Sequence, residues 1–145
     1  MRWMTGLVAG AATVIAAGGV LAAGASPAAA YPPGCIGKNF NESRSLGPGE
    51  AICNGNYLVR MQTNGDLVLR KISTGRACWT SGTRATNATA SFKQGYITPA
   101  GHVHPYVLIA GTKIWGTNHV GDPGTNANVN GNGEFWIGYH KAGSC

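Results

Sequence analysis

Tyr57-Leu-Val-Arg-Met-Gln-Thr-Asn-Gly-Asp-Leu-Val-Leu-Arg70 alternates apolar and polar residues around an Asn64-Gly65 pair. That is a strong short-range signal for a β-hairpin. The alternation also fixes the register. A three-residue loop of Thr63, Asn64 and Gly65 sets Gln62 opposite Asp66, Met61 opposite Leu67 and Val59 opposite Leu69. Tyr57, Val59, Met61, Leu67 and Leu69 then share one face, while Leu58, Arg60, Gln62, Asp66, Val68 and Arg70 share the other. A two-residue loop would mix apolar and polar side chains on both faces, which a half-buried sheet does not tolerate. The sequence therefore predicts an anchored hairpin with a polar row on its outside.

The same reading extends along the chain. No segment after residue 30 carries a helical period. Strand-like runs recur between turn residues at Tyr57–Gln62, Asp66–Lys71, Ala77–Thr80, Ser91–Gln94, Tyr106–Ala110, Lys113–Thr117, Asn126–Asn130 and Glu134–Tyr139, and Glu50–Cys53 is strand-like as well. With 23 glycines and only 11% charged residues, the chain suits short strands and tight turns, and an all-β domain is expected.

The first 30 residues stand apart. Arg2, an Ala/Gly/Val-rich stretch from Thr5 to Ala25, and the small-residue ending Ser26-Pro-Ala-Ala-Ala30 describe a secretory signal peptide over 1–30, cleaved after Ala30. One domain is expected over 31–145, secreted and extracellular, with no membrane insertion after cleavage. Removing Arg2 from the 11 basic residues leaves 10 against 5 acidic ones, a net charge of +5. These charges are scattered singly and form no patch of the kind nucleic-acid binders carry. Export makes disulfides the default for Cys35, Cys53, Cys78 and Cys145. Four cysteines permit three pairings; the expectation is a local Cys53–Cys78 staple and a Cys35–Cys145 clasp joining the chain ends.

A repeat underlies the strands. Trp79-Thr-Ser-Gly-Thr83 closes one unit, Ile114-Trp-Gly-Thr117 a second, and a third begins near Ala127-Asn-Val-Asn-Gly-Asn-Gly-Glu-Phe-Trp136. Units this small bury a hydrophobic face only by sharing one core, expected here to include Trp79 and Trp115. Leu46-Gly-Pro-Gly-Glu50, the Tyr57–Leu69 hairpin and Ala77-Cys-Trp-Thr-Ser-Gly-Thr83 resemble the bulb-type, monocot mannose-binding lectins. The resemblance is closest from Leu46 to Thr83. It implies a β-prism of three four-stranded antiparallel sheets about a pseudo-threefold axis. It also implies a sugar site patterned Gln-x-Asp-x-Asn-x-Val-x-Tyr.

Carried onto this chain, the pattern falls on Gln62, Asn64, Asp66, Val68 and Arg70. Gln62 and Val68 match; Asn64 stands for aspartate, Asp66 for asparagine and Arg70 for tyrosine. Amides and a carboxylate suit hydroxyls that both donate and accept, and a valine suits the carbon face of a sugar ring. In the third unit Asn130, Asn132 and Glu134 occupy the first three positions, as weaker candidates. An insertion, Tyr96 to Pro105, interrupts the second unit.

Catalysis is not expected. There is no G-x-S-x-G or H-E-x-x-H, and too few acids for a glycosidase pair. His102 and His104 alternate, but zinc requires a third ligand, and turn exposure explains them more simply. No cofactor or metal is expected. The expected function is a secreted, non-catalytic lectin for mannose-type glycans or a cell-envelope polysaccharide, monomeric or a non-covalent dimer. The alternative is a secreted β-prism module that has lost sugar binding and targets a protein or the cell envelope as an antibacterial or competition factor.

Overall fold

The computed structural model describes residues 30–95, 99, 102–115, 119–120 and 124–145. The signal segment, apart from Ala30, lies outside them. The described residues form 13 strands and no helix: β1 (Asn39–Asn41), β2 (Ala51–Asn54), β3 (Tyr57–Met61), β4 (Leu67–Lys71), β5 (Ala77–Thr80), β6 (Ala90–Lys93), β7 (His102–Val103), β8 (Tyr106–Ile109), β9 (Thr112–Trp115), β10 (His119–Val120), β11 (Asn126–Val129), β12 (Glu134–Ile137) and β13 (His140–Ser144). They assemble into antiparallel sheets ordered β2-β3-β4-β5, β6-β8-β9 and β1-β11-β12-β13, with β7 and β10 as a separate pair.

The three larger sheets turn their apolar faces onto one core, a β-prism. Fully buried Phe40, Phe92 and Phe135 meet Ile52, Val59, Met61, Leu67, Leu69, Val107, Ile109, Val129 and Ile137 there. The hairpin register is the one the alternation demands: Met61 pairs with Leu67 and Val59 with Leu69, and the Gln62 amide donates to the Asp66 carbonyl. Tyr57 packs partly buried against the same core.

The β11–β12 hairpin repeats this loop. The Asn130 amide donates to the Glu134 carbonyl, and Gly133, at φ 79°, donates back to Asn130, as Gly65, at φ 91°, does to Gln62. In the second sheet the corresponding connection is the one carrying the insertion between β6 and β8. That sheet has three strands, not four; an isolated bridge between Leu46 and Ala90 stands at its open edge.

The third sheet takes its fourth strand from the opposite end of the chain: β1 pairs with β11. The chain ends are thus joined by backbone pairing, and the expected clasp is not formed. The disulfides are Cys35–Cys53 and Cys78–Cys145. Both expected pairings are corrected for one geometric reason. Three successive antiparallel pairings place β2 and β5 on opposite edges of the first sheet, with β3 and β4 between them. Three inter-strand steps put Cys53 about 14 Å from Cys78, beyond the roughly 7 Å a disulfide spans between Cα atoms. Cys35 instead lies alongside β2, bridged in parallel to Ala51, and reaches Cys53 at a Cα–Cα distance of 5.7 Å. Cys145 follows β13, which packs beside β5, and reaches Cys78 at 4.9 Å.

Trp79 lies in that seam between the first and third sheets. Its ring tilts at 46° against Phe135, 5.3 Å away, and a side chain at Gly143 would collide with the indole. The Trp115 side chain is outside the described residues.

Candidate functional site

The outward row of the first sheet comes from three cross-strand pairs: Gln62 with Asp66, Arg60 with Val68, and Leu58 with Arg70. The structure divides this row. At its inner end, Leu58 joins Ala51 and Cys53 in a small second cluster, on which Cys35 and Ile72 pack. The segment before β1 is fastened over this end. The Arg60 guanidinium donates to the Pro33 and Gly49 carbonyls, each at 2.8 Å, and the Tyr31 hydroxyl accepts from the Gly55 amide. The loop end stays open, with Gln62 half-buried and Asn64 exposed.

The five sequence-predicted residues therefore divide by role. Gln62 makes no side-chain hydrogen bond among the described residues, so its amide is free to donate and accept. Asn64 spends its Oδ1 on the Asp66 backbone amide, capping the turn. Asp66 uses Oδ1 to accept from the Ser81 hydroxyl at 2.9 Å and the Gly82 amide at 3.0 Å. Arg70 donates one Nη to the Gly75 carbonyl at 2.9 Å, which steadies the turn between β4 and β5. Val68, expected to pack on a sugar ring, is only 1% exposed. It lies between Arg60 and Thr80 across the ladder, buried at a position that alternation alone marks as open. Val68 supports the row from beneath.

Two residues were missed by sequence reasoning. Ser81 links Asp66, Thr83 and the Leu67 amide, and so fixes the direction of the Asp66 carboxylate. Arg60 anchors the preceding segment. Neither stands out locally: Arg60 bonds only backbone carbonyls, and the Asp66 carboxylate that Ser81 orients lies 15 positions away.

The three weaker candidates in the third unit do not form an open set. Asn130 accepts from the Asn132 and Glu134 amides through Oδ1 and donates to Glu134 Oε2 at 2.6 Å. Glu134 also accepts from Trp136 Nε1 at 3.3 Å and pairs with Lys141 Nζ at 3.0 Å. The Asn130 amide foremost, then Lys141, holds the Glu134 carboxyl below its ordinary range. Of the three, only Asn132 keeps an exposed amide free among the described residues. No group of three His, Cys, Asp or Glu side chains among the described residues is placed to hold a metal.

No family model and no curated protein matches the chain. Among solved structures it is similar to monomeric monocot mannose-binding lectins from Gastrodia elata. The identity is 29%, over 62% of this chain and 74% of that one, with a TM-score of 0.40. The fold itself is an all-β prism. That statement stands on the order and inward faces of the three sheets.

Proposed function

We propose that this protein is an exported, non-catalytic carbohydrate-binding protein that reads mannose or a related hexose at the loop end of the β3–β4 hairpin. One observation carries the reading. The Gln62 side-chain amide, unbonded among the described residues, lies directly opposite Asp66, whose Oδ1 is fixed by Ser81 and Gly82. An amide beside a held carboxylate offers both donors and strong acceptors to adjacent hydroxyls. Asn64, whose Oδ1 accepts from the Asp66 backbone amide, stands beside the pair.

The shielding of Val68 favours a second reading, a β-prism module that recognises a protein or envelope surface without a sugar. Chromatography of the oxidised 31–145 protein on immobilised mannose separates the two. The lectin reading expects retention, elution by free mannose, and loss of retention in Gln62→Ala with an unchanged circular dichroism spectrum. Flow-through of the parent protein supports the second reading, and equal retention of parent and variant removes the site from the first sheet.

A further inference from the structure

The third sheet presents an outer face unlike that of the first. Strand alternation sends Phe40, Ala127, Val129, Phe135 and Ile137 into the core. It leaves a row of Asn39, Asn128, Trp136 and Lys141 directly opposite one another across all four strands. In the first sheet the matching row is closed by Arg60 and the segment it fastens. Here no backbone segment is tied across it among the described residues.

Trp136 is outward-facing, half-buried, and fixed at its edge. Its Nε1 donates to Glu134 Oε2, while Glu134 Oε1 holds Lys141. The indole is thereby set in the sheet's outer face by a carboxylate that is itself bonded to Asn130. The polar groups beside it retain unused capacity. Asn39 is exposed and makes no side-chain hydrogen bond among the described residues. Asn128 donates Nδ2 to Asn126 and accepts nothing through Oδ1 among the described residues. The Lys141 ammonium has three donors, of which Glu134 takes one.

A fixed aromatic surface bordered by unspent amides and an ammonium fits a ligand with a flat apolar face and polar groups around its rim. A pyranose ring whose hydroxyls are all equatorial has that shape, since both faces are carbon–hydrogen surfaces and every polar group lies in the ring plane. An axial hydroxyl, as in mannose, interrupts one face. We propose that this face binds β-1,4-linked chains of all-equatorial pyranoses, one ring stacking on Trp136 while Asn128, Asn39 and Lys141 bond its rim. The site is separate from the Gln62–Asp66 pair and does not rest on it.

Titration of the oxidised 31–145 protein with cellohexaose and with chitohexaose, followed by calorimetry, tests this. Saturable binding of at least one is expected. Chitohexaose alone would assign part of the recognition to the acetamido group; cellohexaose alone would assign it to the ring and its hydroxyls. Trp136→Ala should weaken binding by about tenfold or more, whereas Trp136→Phe, which keeps an aromatic face, should stay within about threefold of the parent. Asn128→Ala, which leaves Trp136 and its carboxylate in place, should also weaken binding, and it carries the test should Trp136→Ala fail to fold. Free mannose should not displace the hexasaccharides from this face, so failure of the mannose reading and failure of this one are distinguishable. Absence of binding to both hexasaccharides overturns the proposal, as does parental affinity in Trp136→Ala or in Asn128→Ala.

Discussion

Removing the Cys78–Cys145 bridge by the paired change Cys78→Ser and Cys145→Ser should destabilise the domain more than removing Cys35–Cys53. The bridges close loops of 67 and 18 residues. In the chain-entropy model these lengths correspond to about 4.4 and about 3.2 kcal/mol of stabilisation at 25 °C. The larger figure is a large share of the 5–15 kcal/mol typical of a whole domain. Native structure should survive the first change, because β13 keeps its ladder with β12 and Trp79 keeps its seat against Gly143 and Phe135. The assay is urea unfolding followed by tryptophan fluorescence. With a slope of about 2 kcal/mol/M, the midpoint should fall by about 2 M for the Cys78/Cys145 change and about 1.6 M for the other. A parental midpoint in the Cys78/Cys145 variant, or a larger loss from the Cys35/Cys53 pair, would refute the reasoning that the longer loop governs the cost.

Glu134→Gln should lower the urea midpoint at neutral pH and converge with the parent in acid. The folded Glu134 carboxyl sits below its ordinary range, so its contribution is present above the unfolded pKa and vanishes as pH falls through the folded one; a gap that persists in acid would contradict this. Gly65→Ala should destabilise by about 2 kcal/mol or more in the same assay, since φ is 91° and a Cβ there would run into the Ala85 backbone. The triple change Asn64→Asp, Asp66→Asn and Arg70→Tyr should fold, because a carboxylate can cap the turn at 64 and an amide oxygen can accept from Ser81 at 66. It should also raise mannose affinity measured by calorimetry, each recovered hydrogen bond being worth roughly 0.5–1.5 kcal/mol; weaker binding would point to a different sugar, with Arg70 reading an acidic group.

The hairpin was legible because local pattern and tertiary burial agree there: the same alternation that sets Met61 against Leu67 also fills the core. Strand β13 was missed, since His140-Lys-Ala-Gly-Ser144 has no alternation and owes its conformation to β12 and to the Trp79 seam. The disulfide pairing was misread for a related reason. Nearness in sequence suggested Cys53 and Cys78, but a four-stranded meander carries its first and last strands to opposite edges. The site was legible as residue types and not as roles. Alternation marks Val68 as outward, yet its burial is a tertiary property that the local pattern does not encode. Likewise Asn130 and Glu134 look like free hydroxyl partners in sequence and turn out to bond each other.

The proposed function is glycan binding through the outer faces of the fold, without catalysis. A glycan array probed with the oxidised 31–145 protein tests it most directly. Selective, saturable binding to mannose-terminated glycans is expected, abolished by Gln62→Ala, with each bound glycan recovered unaltered. Binding to no saccharide on the array, by a protein whose two disulfides and β-rich circular dichroism spectrum are intact, would contradict it.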